Sequence, residues 1–427
     1  MAQQVETSGG SGLPELSPIL MVEAAIDELY NIRDTFFSKD PQEKSACLQK
    51  HADAALVLVD SAIPIDLRKS ISQRALYEFL RGKILDVLPD YQKEAEDHLS
   101  KAVKLNPSLA DAWACLGNCI WKKGDLQSSK NCFSVALSMD PNKEILCQLS
   151  MLERSMAQSM ESQSHLVDES IQHAKEAVTL DIKDGNSWYN LGNAYLTSFF
   201  VTGAWDHTKL KQSLKAYKNA EKDELMKLNP DLYFNCAMAN KYLENYERAL
   251  HGFEAAASKD PGLHAENEVH KIMLLLDKLE NSLKWQDRSK RLAPLLASLG
   301  EVNSISTHKK ANINILTQGL NKAVMIVGIV LVSVMHDDIA PSYYVLCDSN
   351  QSCFILSVYG VHREAIKEGD RVTLLDPFYR INALTWKQKH YEFNSIRVDF
   401  VEQILVNEKA PAARHAVRAS INAQLKP

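Results

Sequence analysis

Ala110-Asp-Ala-Trp-Ala-Cys-Leu-Gly-Asn-Cys-Ile-Trp-Lys-Lys-Gly-Asp-Leu-Gln-Ser-Ser-Lys-Asn-Cys-Phe-Ser-Val-Ala-Leu-Ser-Met-Asp-Pro-Asn-Lys143 is the stretch whose reading decides the fold. Trp113, Leu116, Gly117 and Ile120 recur at helical spacing, Phe133, Ala136 and Pro141 follow after the Gly124-Asp125 break, and the whole reads as two antiparallel helices. Gly117 and Ala136 are small where the two helices must cross closely, while Trp113, Leu116 and Phe133 fill the space to neighbouring helices. Pro141 stops the second helix. Leu99 and Phe133, Ala102 and Ala136, and Pro107 and Pro141 each stand 34 residues apart, so the unit repeats.

A 34-residue helix-pair period is that of tetratricopeptide units. A further unit starts at Gly185 with Trp188, Leu191, Gly192 and Tyr195, and reaches its second helix at Ser213, Tyr217 and Ala220 after extra residues near Phe199 to Thr208. Another starts at Pro230, with Tyr233, Cys236, Ala237, Tyr246, Ala249, Phe253, Ala256 and Pro261 in register. Divergent units cover roughly 75–107 and 142–184. Ile19 to Phe37 and Glu43 to Ile63 suit an N-terminal helix pair, and Glu266 to Trp285 suits a helix capping the last repeat.

From Gln286 to Gln318 the helical pattern dissolves, and beyond it the apolar period falls to about two. Strands are expected over 323–334, 342–347, 353–358, 371–375, 380–385 and 390–398, with a short helix near 361–367 and Gly328 as the bulge of the long first strand. That order resembles an OB-fold barrel. The expected fold is therefore mainly α: a right-handed solenoid of tetratricopeptide helix pairs followed by a small C-terminal OB-fold β-barrel. Its expected divisions are a tail at 1–17, the helical array at 18–285, a basic linker at 286–318, the barrel at 319–404 and a C-terminal tail at 405–427.

Composition narrows function. A net charge of -6 spread along 427 residues supplies no general attraction for nucleic acid or anionic membrane. The eight cysteines form no C-x-x-C pair, which reads as a reducing compartment. The polar N-terminus has no signal-peptide pattern, and Ala323 to Met335 is too short to span a bilayer. No phosphate loop, metal-binding or nucleophile motif is present, so neither catalysis nor a cofactor is expected. Cys115 and Cys119, four apart beside Trp113 and Leu116, read as small core residues rather than as metal ligands.

In such arrays the first helix of each pair lines the concave face. Offsets opposite the packing positions place Asn118 and Trp121, Tyr189 and Asn193, and Asp231 there. Amides, aromatics and charges of both signs suit an extended peptide. Ala114 stands where a clamp for chaperone C-termini needs lysine. Lys284, Arg288, Lys290 and Arg291, continuing to Lys309 and Lys310, form a basic patch suited to phosphate. Residues 311–400 carry eight Lys/Arg against nine Asp/Glu, a net of -1 that argues against a general single-strand binder. Trp386, Lys387, Lys389 and Tyr391 leave a weak nucleic-acid contact open at the barrel.

Several irregular segments carry a more specific likeness: Lys101-Ala-Val-Lys-Leu-Asn-Pro107, Trp121-Lys-Lys-Gly-Asp125, Leu149-Ser-Met151 with Arg154, Asp184-Gly185, Ser187-Trp188-Tyr189, Asn229-Pro-Asp-Leu232 and Ser395-Ile-Arg-Val398. With the order of parts, they resemble the tetratricopeptide repeat protein 5, or Strap, family over nearly the full length. The resemblance implies tubulin autoregulation: the groove recognises the N-terminal Met-Arg-Glu of nascent tubulin at the ribosome, and a recruited adaptor starts mRNA decay. It places the family's groove arginine and aspartate on Arg154 and Asp231. It places the ribosome-contacting basic residues on Arg288, Lys290 and Arg291. It also implies a second class of role, a nuclear scaffold between an acetyltransferase co-activator and transcription factors, with the barrel on chromatin or DNA. Cytoplasm and nucleus are the expected locations, with no membrane partner.

Overall fold

The computed structural model describes residues 17–38, 40–159, 163–201, 206–284, 299, 307–336 and 341–415. Thirteen α-helices stand among them, followed by a nine-stranded sheet. The chain divides into two compact units. One holds residues 1–159 and 172–182, the other 160–171 and 183–427.

The first unit opens with α1 (Pro18–Thr35) and α2 (Pro41–Ala62), whose first turn is capped by the Asp40 carboxylate accepting from the Gln42 N–H at 2.9 Å. Then come α3 (Ile71–Leu85) with α4 (Lys93–Leu105) and α5 (Ala110–Lys123) with α6 (Leu126–Met139). α7 (Lys143–Ser159) completes the series, together with residues 172–180 of α8 (Gln163–Leu180). A Cβ on Gly117 would lie 3.0 Å from the Phe133 ring, so glycine is what lets α5 and α6 cross. Gly124 ends α5 at φ 93°, a left-handed conformation glycine adopts without strain. Lys122 reaches back to the preceding repeat, donating to the Asp86 carboxylate at 3.0 Å and to Leu88 O at 2.8 Å.

The second unit contains α9 (Gly185–Val201), α10 (His207–Ala220), α11 (Pro230–Tyr242), α12 (Tyr246–Lys259) and α13 (Ala265–Leu283). The extra residues after Phe199 lengthen α9, and Phe199 is buried with its ring 4.9 Å from that of Tyr242. Asn229 caps α11 through bonds from the Asp231 and Leu232 N–H groups, and Pro230 sits at its first position.

The barrel strands are β1 (Lys309–Ala311), β2 (Gly319–Leu320), β3 (Val324–Val334), β4 (Ser342–Asp348), β5 (Cys353–Val358), β6 (Arg371–Leu375), β7 (Phe378–Trp386), β8 (Lys389–Val398) and β9 (Ile404–Val406). Their order is β2-β7-β8-β5-β4-β3-β6-β9, with β5 and β8 parallel and β1 parallel to β3. β6 and β7 act as two halves of one strand bent at Asp376-Pro377: the first half pairs with β3 and the second with β8, which closes an OB-type barrel.

Three sequence expectations change here. The bulge of β3 lies between Val330 and Val332, whereas Gly328 pairs regularly with Asp348 and Val372 and gives Cys347 O the room a Cβ would take. The expected helix near 361–367 is a single 3-10 turn, Arg363–Ala365, because the Asp370 carboxylate takes the Lys367 N–H at 2.7 Å and ends it. Strand pairing starts at Lys309, inside the span expected as linker, and β9 extends past 404.

α13 packs on α12 and on the barrel at once. Ile272, Leu275, Leu276 and Leu279 share one core with Phe253 and Leu250 of α12 and with Tyr343, Val345, Ile355 and Phe393 of the barrel. Polar contacts follow the same seam: Tyr246 and Tyr343 hydroxyls meet at 3.1 Å, and Asp277 accepts from Lys389 Nζ at 2.5 Å and from Tyr391 OH at 2.6 Å. Arg397 and Arg380 donate to the carbonyls of Tyr242 and Leu243, at the C-terminal end of α11, each at 2.6 Å.

Candidate functional site

On α9, Tyr189 and Asn193 stand four apart and so share a face. Asn193 Oδ1 accepts from Tyr217 OH of α10 at 2.7 Å and from Asn235 Nδ2 of α11 at 3.1 Å, and Asn235 Nδ2 also reaches Tyr189 OH at 3.2 Å. Three helices thus fix two amides in one network. Asn193 Nδ2 and Asn235 Oδ1 take no partner among the described residues, which leaves an amide donor and an amide acceptor beside each other. Asp231 stands one turn before Asn235 on the same face of α11, half-buried, with its N–H on Asn229 Oδ1 at 2.9 Å.

Asn235 and Tyr217 were not singled out in the sequence. Tyr217 occupies a packing position, and only its hydroxyl gives it the second task. Asn235 interrupts Leu232-Tyr-Phe-Asn-Cys-Ala, and an amide in so apolar a helix calls for partners when buried. That signal was present.

In the first unit, Asn118 and Trp121 are half-buried and three apart on α5, and neither side chain makes a hydrogen bond among the described residues. Arg154 lies in α7 at 9% exposure and donates to Ser150 Oγ at 2.9 Å. It is more enclosed than its expected role implies. Next to it Glu153 is fully buried, ion-paired with Lys130 at 3.1 Å and His173 at 2.9 Å. Asn118, Trp121 and Arg154 belong to one unit, and Tyr189, Asn193 and Asp231 to the other. Arg288, Lys290 and Arg291 lie outside the described residues.

Burial holds the Cys115 and Cys119 thiols up at about 12, so both stay protonated at neutral pH, and Cys119 Sγ points to Gln92 O. No cluster of three or more metal-ligating side chains exists among the described residues, and none of their helices is long and apolar enough to cross a membrane.

The barrel site expected at Trp386, Lys387, Lys389 and Tyr391 needs correction. Trp386 is buried with its ring 4.9 Å from that of His251, Tyr391 is buried on Asp277, Lys389 pairs with Asp277, and Lys387 lies 3.5 Å from Glu254. OB folds bind oligonucleotides with the face of their second and third strands and the loop between the fourth and fifth. Here those are β4, β5 and the Lys387-Gln388 turn, and α12 and α13 cover them. On these elements the rings of Tyr343, Trp386 and Tyr391 are buried and offer no face for a base to stack on.

The family model described as the tetratricopeptide repeat protein 5 OB fold domain matches residues 307–420. Human tetratricopeptide repeat protein 5 is 35% identical over 433 residues, covering 95% of this chain and 97% of its own length. The Bos taurus protein of that name is 34% identical, covering 94% and 95%. Among solved structures, YrrB, titled a TPR protein with an unusual peptide-binding site, is similar at 18% identity and a TM-score of 0.35, covering 49% of this chain and 97% of its own.

Proposed function

From the premise that the chain belongs to the tetratricopeptide repeat protein 5 family, we propose that it is a non-catalytic adaptor that reads the N-terminal Met-Arg-Glu peptide of nascent tubulin at the ribosome and triggers decay of tubulin mRNA. The coarser statement, an interaction scaffold of helical repeats and an OB fold, follows from the family itself. The observation that carries the finer one is the pair of unspent amide groups on Asn193 and Asn235, held by Tyr189 and Tyr217. Such a pair matches one peptide unit, which offers one donor and one acceptor.

In this reading the carboxylate of Asp231 takes the peptide's arginine and Arg154 takes its glutamate, by charge-assisted bonds. Asn118 and Trp121 extend the contact, and Arg288, Lys290 and Arg291 meet rRNA phosphate. The adaptor acts in the cytoplasm. The second reading, a nuclear scaffold with its barrel on DNA, is disfavoured by the covered β4–β5 face.

Co-sedimentation with ribosomes translating tubulin tests the proposal. The parent chain should travel with them, while Asp231→Ala and an Arg288/Lys290/Arg291 charge reversal should each be left behind. Equal sedimentation of all three would sink it.

A further inference from the structure

β7 has one edge on β8. The turn joining them is Lys387-Gln388, with φ of 45° and 68°, the backbone of a type I′ hairpin. Trp386 and Lys389 flank that turn and exchange main-chain hydrogen bonds, so alternate residues of β7 point their N–H and C=O groups away from β8. These are Thr385, Ala383, Ile381 and Tyr379. The phase is corroborated at the far end of the strand, where Pro377 O receives the Asn321 N–H at 3.0 Å and Tyr379 faces Gly319 of β2. There the pairing stops. Gly319 turns the preceding chain away at φ 104°, and the Thr317 N–H goes to Asn321 Oδ1 at 3.0 Å. Among the described residues nothing bonds to the outward groups of Ile381 and Ala383.

An open edge is a template for another strand, and proteins ordinarily blunt it with proline, lysine or a bulge. This edge carries none of those. Residues 381–384 instead form one wall of a cleft of about 360 Å³, and residues 244–248 at the start of α12 form the other. α12 begins without a side-chain cap, since Asn245 Nδ2 donates to Asn240 Oδ1, and its first-turn N–H groups have no partner among the described residues. Arg248 is exposed there and has no ion pair among them. Two carboxylates oppose this positive end: Glu244, engaged by Tyr359 OH at 3.1 Å, and Glu247, which is exposed. Arg248 and Arg380, which also lines the cleft, balance the two carboxylates, and the helix N-terminus tips the sum to positive.

We propose that this cleft takes an extended segment of a partner protein, which adds as a strand beside β7 and sets a carboxylate against the start of α12 and Arg248. The main chain supplies affinity, and the carboxylate supplies direction. The site is separate from the Asn193–Asn235 network and does not depend on it.

Two labelled probes test this on the full chain: an alternating Thr/Val heptapeptide with a free C-terminal carboxylate, and the same peptide amidated and ending in glutamate. At least one should bind and slow hydrogen exchange at the Ile381 and Ala383 amides, and the tighter of the two identifies the carboxylate as terminal or side-chain. Ala383→Pro, tolerated at an edge whose N–H faces outward, should weaken binding by about tenfold, as loss of a main-chain bond predicts. Ala383→Thr keeps the N–H and should bind like the parent. Failure of both probes to slow those amides overturns the proposal, as does undiminished binding by Ala383→Pro.

Discussion

Ser129 stands where a tetratricopeptide unit ordinarily has alanine, and its hydroxyl donates to Gly117 O at 2.8 Å across the tight α5–α6 crossing. Such exchanges are invisible to a repeat pattern, which records size and not hydrogen bonds. Gly192, by contrast, was legible: a Cβ there would overlap the ring of Tyr217, so the residue that shapes the crossing also seats the hydroxyl bonded to Asn193. Asn235 carried a signal, an amide in an apolar helix, but which partners it takes appears only when three helices meet. Asp86 offers a test at this scale. Its burial outweighs the pull of Lys122 and holds the carboxyl up at about 6. A raised folded-state value means the neutral form favours folding: the contribution is complete below pH 4 and is lost as pH rises through 6. Over that window the parent should lose up to about 3 kcal/mol that Asp86→Asn does not lose. Urea unfolding of both at pH 4 and pH 6.5 measures this, and parallel pH dependence would exclude the assignment.

At the scale of elements, the pattern placed the A and B helices because their apolar faces recur at fixed offsets, and it placed the barrel strands because their period is two. It did not place what depends on neighbours. The lengthened α9, the bulge after Val330 and the single turn at Arg363–Ala365, which the Asp370 carboxylate ends, are departures that an apolar period does not record. α13 looked like a simple cap because one amphipathic stripe says nothing of how many partners share it. Leu276 is fully buried in the core that joins α12, α13 and the barrel. Leu276→Ala should cost about 2–5 kcal/mol and speed hydrogen exchange in α12 and in β8 by the same factor. A response confined to α12 would show that the barrel stands independently.

For the molecule as a whole, the sequence announced its parts in the right order and marked a domain boundary with a basic linker at 286–318. Strand and helix periods mark where one kind of structure ends, whereas the apolar seam through Tyr246, Leu276, Tyr343 and Trp386 is built from residues that each looked like ordinary core. Cleavage at a protease site inserted between Asn303 and Ser304 should therefore leave both fragments co-eluting under native conditions and parting only in denaturant. Separation without denaturant would contradict a continuous core. The arginine bonds to the end of α11 carry a consequence in time. Tyr242 O waits for Arg397, which is 155 positions further along the chain. At ordinary elongation rates that is a delay of roughly 8 to 30 seconds. Throughout it, the helix bearing Asp231 and Asn235 is already made but not yet finished, so each newly made copy passes through an immature interval before its recognition surface is set.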